Sequence, residues 1–76
     1  MHRVEVESTN IASIGFDEEQ QILEIGFIGR KGNSGAVYQD TNVPYNVWIS
    51  FLRAPSKGGF FAAEIRGKFS ATKVSG

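Results

Sequence analysis

The residues with the greatest chemical potential lie in one C-terminal stretch, Ala54–Phe61, followed by Ile65–Phe69. Pro55 should end one helix because the residue before a proline is pushed out of the α region. Ser56 is then placed to cap the next helix. A serine, a lysine and two glycines at a helix start can also present backbone N–H groups to an anion. The same residue types can form an ordinary corner between two helices, so both interpretations stay open.

Basic and aromatic side chains near this stretch supply the other candidate contacts. Arginine suits bidentate phosphate contact and lysine adds a point charge, whereas an aromatic ring can stack on a base. The predicted ligand-binding residues are Ser56, Lys57, Gly58, Arg66, Lys68, Phe60 and Tyr38.

Catalytic and metal chemistry have little support in the composition. The chain has no cysteine, and its one histidine, His2, follows the first methionine. A thiolate zinc site and a histidine-based triad are therefore unavailable. Ser56 and Lys57 could in principle act as nucleophile and base, but adjacent residues at a helix start do not face each other. The acidic run Asp17–Glu19 is typical of a solvated turn, so we predict a non-enzyme that holds no metal or cofactor.

The net charge of zero hides a difference between the two halves of the chain. Residues 1–40 carry three bases and seven acids, a net charge of −4, whereas residues 41–76 carry five bases and one acid, a net charge of +4. This asymmetry suggests an anionic partner for the basic half, unless the halves pack together and neutralise each other. A neutral protein is poorly suited to coating long nucleic acid. A compact anionic ligand requires fewer positively charged contacts.

The elements that must position these residues can be predicted from hydrophobic periodicity. Strands are expected at Arg3–Glu7, Ile11–Phe16, Ile22–Ile28 and Ala36–Asp40, with a glycine-rich loop at residues 29–35. The second and third strands should pair as an antiparallel hairpin because their connection is short.

Two helices are predicted after the strands. Val43, Val47 and Phe51 recur at four-residue spacing, which predicts a helix to about Arg53, capped by Thr41 or Asn42. A second helix should span Lys57 to Ile65, and the polar tail, residues 70–76, should fray. The expected core is Phe16, Leu23, Ile25, Phe27, Val47, Phe51, Leu52 and Ile65, with Trp48 and Tyr38 open between core and ligand wall.

The predicted fold class is α+β: a small antiparallel β-sheet of three to four strands, followed by two C-terminal helices packed on it. Residues 1–76 should form a single domain. No apolar run approaches the length of a membrane span, and no signal-peptide pattern opens the chain. We therefore expect a cytoplasmic protein with no membrane partner.

The order of short motifs also resembles a known family. The motifs are Ser8–Ile11, Ile14–Asp17, Leu23–Ile25, Phe27, Val37–Tyr38, Val43–Pro44, Phe51–Leu52, Ala54–Gly58, Phe60–Phe61 and Ile65–Phe69. Together they resemble the KTSC domain, a module named for the C-terminus of some lysyl-tRNA synthetases that also occurs alone in bacterial and phage proteins. The resemblance is strongest over residues 8–69. It implies an α+β fold with a small antiparallel sheet and C-terminal helices, and it brings the family's suggested RNA-binding role.

One position departs from the family pattern, which centres on two tyrosines on either side of one residue. Tyr38 matches the first tyrosine, but Asp40 occupies the second position. The departure replaces a stacking surface with a negative charge, which weakens the case for base stacking along that strand.

Three functional hypotheses follow. The first is a non-catalytic binder of a phosphate-bearing nucleotide, such as a phage-type anti-defence protein that sequesters a signalling nucleotide. A domain this small can scarcely enclose a pocket of several hundred cubic ångströms alone, so this hypothesis predicts a symmetric homo-oligomer. The second is an RNA-binding module, as suggested for the family. The third is a protein-interaction domain with Trp48, Phe60 and Phe61 partly exposed.

Overall fold

The computed structural model describes residues 1–32 and 34–76, so Asn33, in the predicted loop, lies outside the described residues. The chain forms a five-stranded antiparallel sheet in which the strands are neighbours in chain order. Its strands are β1 (Val4–Glu5), β2 (Ile11–Asp17), β3 (Ile22–Ile28), β4 (Ser34–Thr41) and β5 (Ser70–Ser75). A 3₁₀ turn, Arg30–Gly32, precedes β4, and helix α1 (Tyr45–Arg53) follows it. Helix α2 (Lys57–Phe60) continues directly into a π-helical stretch, Phe61–Ile65, which we call the π segment.

The hairpin of β2 and β3 is confirmed. Ile14 lies opposite Ile25, and Phe16 lies opposite Leu23. The turn between the strands is closed by Asp17, whose Oδ1 accepts a hydrogen bond from the Gln20 backbone N–H at 3.1 Å. Because side chains alternate between the faces of a sheet, this register places Ile14, Phe16, Leu23 and Ile25 on one face.

The helices cover that apolar face and form the core with it. The fully buried residues are Ile11, Ile14, Leu23, Ile25, Val43, Phe51 and Ile65. Trp48 of α1 stacks on Phe16, with ring centroids 5.6 Å apart and ring planes 9° apart, so it belongs to the core packing. The prediction that Leu52 lies in the core is wrong, because its side chain is 39% exposed. It follows the buried Phe51 on α1, and neighbouring helical positions point about 100° apart.

The other face of the sheet carries a polar network. The Arg3 guanidinium donates to Glu24 and, at 2.9 Å, to Ser13 Oγ, while Gln39 Nε2 donates to Glu24 Oε1 at 2.7 Å. Arg3 can lie flat because Gly26 has no side chain: a Cβ there would come within 2.7 Å of Ser13 Oγ and 3.3 Å of Arg3 Nε. Burial raises the pKa of Glu24, but the hydrogen bonds from Gln39 and Arg3 outweigh it and hold that pKa below its usual 4.5.

Two predictions about the ends of elements are wrong. The sheet has five strands rather than three to four, because the tail predicted to fray forms β5 instead. All side chains of β5 are exposed, so backbone pairing with β4 supplies its order. The predicted cap residues Thr41 and Asn42 do not start α1. The helix begins after Pro44, with no side-chain cap.

The second helix is confirmed in extent, since α2 and the π segment together span the predicted residues 57–65. Ser56 caps it as predicted, with its Oγ accepting from the Gly59 N–H at 3.0 Å. At the other end, the Arg66 N–H bonds to the Phe61 carbonyl at 2.8 Å. Gly67 then turns the chain towards β5 with φ +76°. Among the described residues, no helix has the length and apolar composition needed to cross a membrane.

Candidate functional site

A cleft opens on the helix-covered side of the sheet, between β4, β5 and the π segment. We call it the aromatic cleft, and its cavity volume is about 260 Å³. Its lining residues are Phe27, Tyr38, Asp40, Phe61, Arg66, Gly67 and Ala71.

The floor of the aromatic cleft comes from β4. Tyr38 lies opposite Ile25, and Asp40 lies opposite Leu23, so both belong to the helix-covered face. On the other side of β4, Asp40 is paired with Ala71 of β5. Because paired residues point to the same face, the short Ala71 side chain leaves space beside the Asp40 carboxylate.

The aromatic rings in the cleft meet edge to face. Phe27 lies 5.9 Å from Tyr38 at an interplanar angle of 86°, and 5.4 Å from Phe61 at 76°. Such T-shaped pairs are a favoured geometry for aromatic rings. The rings therefore present both faces and edges to the cavity, and a planar ligand can stack on a ring face.

The rim of the cleft carries a positive charge. The Arg66 guanidinium carbon lies 5.5 Å from the centroid of the Phe61 ring, within the range of a cation–π contact. Arg66 is exposed and follows the π segment directly. The ring therefore holds the guanidinium at the mouth of the cleft without neutralising it.

Asp40 supplies the opposite charge inside the cleft. It is only 3% exposed, and within residues 1–32 and 34–76 its carboxylate makes no hydrogen bond or ion pair to a side chain. Burial raises the pKa of Asp40 from 3.8 to about 6. An acid placed among aromatic rings in this way can accept hydrogen bonds from a ligand.

A second concave area, which we call the polar depression, surrounds the start of α2. Its lining residues are Glu7, Ser8, Thr9, Asn10, Pro55, Ser56, Lys57, Gly58 and Gly59. Two of its predicted binding residues already have partners: Ser56 Oγ caps α2, and Lys57 Nζ donates to the Ala54 carbonyl. A Cβ on Gly58 would lie 2.6 Å from Asn10 Oδ1, so a larger residue here would displace the exposed Asn10 side chain.

The structure therefore divides the predicted ligand-binding residues. Tyr38 and Arg66 line the aromatic cleft, whereas Ser56, Lys57 and Gly58 line the polar depression. The two remaining residues lie in neither. Phe60 stacks on the buried Phe51, with centroids 5.4 Å apart, and Lys68 is exposed just beyond Gly67.

Sequence reasoning missed several residues of the aromatic cleft. Phe27 was assigned to the core alone, and Ala71 lay in the tail expected to fray. Asp40 was noted only as a departure from a family pattern. The available signal was its spacing from Tyr38, since residues at positions i and i+2 of a strand share a face.

The architecture defines a class before any comparison is made. It is a small α+β domain in which an antiparallel meander is covered on one face by helices inserted before its last strand. Residues 7–69 match the KTSC domain, and the chain belongs to the KTSC domain family.

Solved and sequenced relatives agree with this assignment. The crystal structure of a KTSC domain protein from Yersinia pestis has a TM-score of 0.86 and 39% identity, covering 97% of each chain. A protein of Stutzerimonas stutzeri is 43% identical over 61 residues, covering 80% of this chain and 79% of its own. A protein of Tsukamurella paurometabola is 36% identical over 69 residues, covering 91% of this chain and 96% of its own. The family resemblance predicted from the motifs is confirmed.

Proposed function

We propose that this protein is a non-catalytic module that binds a phosphate-bearing nucleotide, with the base in the aromatic cleft and the phosphate against Arg66. The observation that supports this most is the composition of the cleft. Aromatic rings line it, the Asp40 carboxylate inside it bonds to none of the described side chains, and an exposed guanidinium lies at its rim. A nucleotide matches this arrangement because its base is flat and carries N–H donors, while its phosphate is anionic.

The size of the cleft favours partial enclosure of such a ligand. Pockets for whole small molecules measure about 300–1,000 Å³, and the cleft measures about 260 Å³. A base and part of its sugar fit this volume, and the phosphate is then left at the mouth. Arg66 is positioned there, and guanidinium groups form bidentate bonds with phosphate.

The phosphate contact is assigned to Arg66 rather than to the start of α2. Ser56 Oγ and Lys57 Nζ are already engaged with backbone groups of the same corner. Both side chains keep spare donors, but they line the polar depression and not the aromatic cleft. Lys68 is exposed two residues beyond Arg66 and can add long-range attraction.

Isothermal titration calorimetry with the four nucleoside monophosphates and their nucleosides tests this proposal. Arg66→Ala should weaken binding of the preferred monophosphate about tenfold or more, because a charged hydrogen bond contributes roughly 1.5–3 kcal/mol. The nucleoside should bind the variant and the parent alike. Arg53→Ala is the matched control, since Arg53 is an exposed arginine at the end of α1, outside the cleft. Failure of every monophosphate to bind at 1 mM would overturn the proposal.

Single-stranded RNA is a second candidate ligand, since it offers the same bases and phosphates as a free nucleotide. Lys73 of β5 is paired with Tyr38 of β4, so the ammonium group of Lys73 adds to the positive charge of Arg66 and Lys68 in this region. RNA that contacts many phosphates should lose affinity by several decades between low and high salt, whereas one phosphate contact gives a slope near one. Titrations of a mixed-sequence oligonucleotide at several salt concentrations separate the two candidate ligands.

The proposed role is to hold the nucleotide rather than to convert it. Recovery of the nucleotide unchanged after prolonged incubation with the protein, measured by chromatography, is the expected result, and any product would contradict it. Homo-oligomerisation also remains part of the proposal, because the cleft is small and β5 leaves an exposed sheet edge. Light scattering with and without the nucleotide measures this directly, and a monomer in both samples would remove it.

A further inference from the structure

Asp40 is the most unusual residue of the aromatic cleft. It is more than nine-tenths buried, yet none of the described side chains donates a hydrogen bond to it or pairs with its charge. None of the described side-chain oxygens is both sealed from solvent and without a partner, so the Asp40 carboxylate keeps contact with the open cleft. Because Asp40 lines the cleft, its carboxylate oxygens can accept hydrogen bonds from a ligand in the cavity.

The surrounding residues explain why the chain itself does not satisfy Asp40. Its strand neighbours on the same face are Leu23 and Ala71, which carry no polar side-chain atom. Arg66 lines the same cleft but forms no ion pair with it. The donors of the polar network, Arg3 and Gln39, lie on the opposite face of the sheet.

We propose that Asp40 makes the aromatic cleft selective for guanine, by accepting hydrogen bonds from the N1–H and the exocyclic N2 amine of that base. This inference rests on the nucleotide-binding function proposed above and specifies its base. An ionised aspartate has two acceptor oxygens and no donor. It therefore complements a base edge that presents two adjacent donors.

Guanine is the common base with such an edge. On the Watson–Crick edge, adenine and cytosine each place an exocyclic amine beside a ring-nitrogen acceptor. Uracil places a single N–H between two carbonyl oxygens. With each of these bases, at least one Asp40 oxygen would face an acceptor atom or have no partner. A site built for hydrogen bonding rejects ligands that leave its polar groups unsatisfied.

The rest of the cleft is compatible with this orientation. With its donor edge against Asp40, a guanine ring can stack on one of the rings that surround the cavity, Phe27, Tyr38 or Phe61. Its sugar and phosphate then point outwards, where Arg66 lies at the rim. The base and the phosphate are thus recognised by different residues, which allows the two contacts to be tested separately.

Calorimetry at pH 8, where Asp40 is ionised, tests the inference on the unmodified protein with GMP, IMP and AMP. IMP is GMP without the N2 amine, so it should bind about tenfold more weakly than GMP, and AMP should bind more weakly still. Equal affinity for GMP and IMP, with binding still weakened in Arg66→Ala, would overturn guanine selectivity and leave the proposed function intact. No binding of GMP, IMP or AMP would overturn guanine selectivity, and the proposed function would fall with it only if CMP and UMP also do not bind.

The Asp40→Asn variant provides an independent test. An amide presents a donor group beside an acceptor oxygen, which complements the amine and N1 of adenine but not the adjacent N1–H and N2 donors of guanine. The variant should bind GMP at least tenfold more weakly than the parent and bind AMP at least as well as the parent does. Glu5→Gln is the control for loss of one negative charge, because Glu5 lies on β1, three strands from β4. An unchanged ratio of GMP to AMP affinity in Asp40→Asn would contradict the inference.

Discussion

Asp40 should also govern how the stability of the protein depends on pH. Its pKa is about 6 in the folded protein and 3.8 without the effect of burial, so the unfolded chain releases this proton first as pH rises. The contribution of Asp40 to stability should therefore be full below about pH 4, fall between pH 4 and 6, and level off above. The difference between these two pKa values corresponds to at most roughly 3 kcal/mol of unfolding free energy.

Replacement of Asp40 by asparagine should remove this cost. At pH 7.5 the melting temperature of Asp40→Asn should exceed that of the parent by roughly 10 °C or more, and at pH 3.5 the two should be similar. The difference between them isolates Asp40, because the lowered pKa of Glu24 affects both proteins alike. Thermal unfolding followed by circular dichroism across this pH range would measure it. A constant difference at all pH values would show that burial does not perturb the carboxyl.

At the scale of single elements, the turn at Gly67 positions the rim of the cleft. Its φ of +76° is in the left-handed region, and a Cβ at this position would meet no atom within 4 Å. Gly67→Ala should therefore destabilise the fold through backbone strain alone, by about 1–2 kcal/mol, which lowers the melting temperature by at least about 4 °C. Gly67→Asn is the matched control, since asparagine tolerates this conformation better. Equal losses in both variants would indicate that a steric clash, rather than backbone strain, is responsible.

The elements differ in how well the sequence predicts them. The hairpin of β2 and β3 and the helix capped by Ser56 depend on local signals, namely alternation, a short turn and a capping side chain. The strand β5 has no such signal, because its side chains are all exposed and Val74, at 47%, is the large apolar residue among them. Its order comes from backbone bonds to β4, and these depend on where the intervening helices place the chain.

The same distinction applies to the candidate site. The basic residue Arg66 and the aromatic Tyr38 could be selected by type, whereas their joint position with Asp40 depends on the pairing of β4 with β5. Ser56 and Lys57 also have suitable types. Only the structure shows that their polar atoms are engaged within the helix corner.

At the scale of the whole molecule, the sheet order has a consequence for the order of folding. The strands β2, β3 and β4 each pair with the preceding strand through a short connection, but β5 can pair with β4 only after residues 42–69 have formed the helical layer. Pairings between distant segments carry the larger loop-closure cost. The strand β5 is therefore expected to dock after the transition state for folding.

Chevron analysis by stopped-flow fluorescence of Trp48 tests this expectation. Thr72→Gly in β5 should speed unfolding and leave the folding rate nearly unchanged, whereas Ile25→Val in β3 should slow folding. Slowed folding in Thr72→Gly would place β5 in the nucleus instead. Because Ala71 of β5 lines the aromatic cleft, the cleft would be completed only in the last step. A bound nucleotide should then lengthen the lifetime of the folded protein without accelerating its formation.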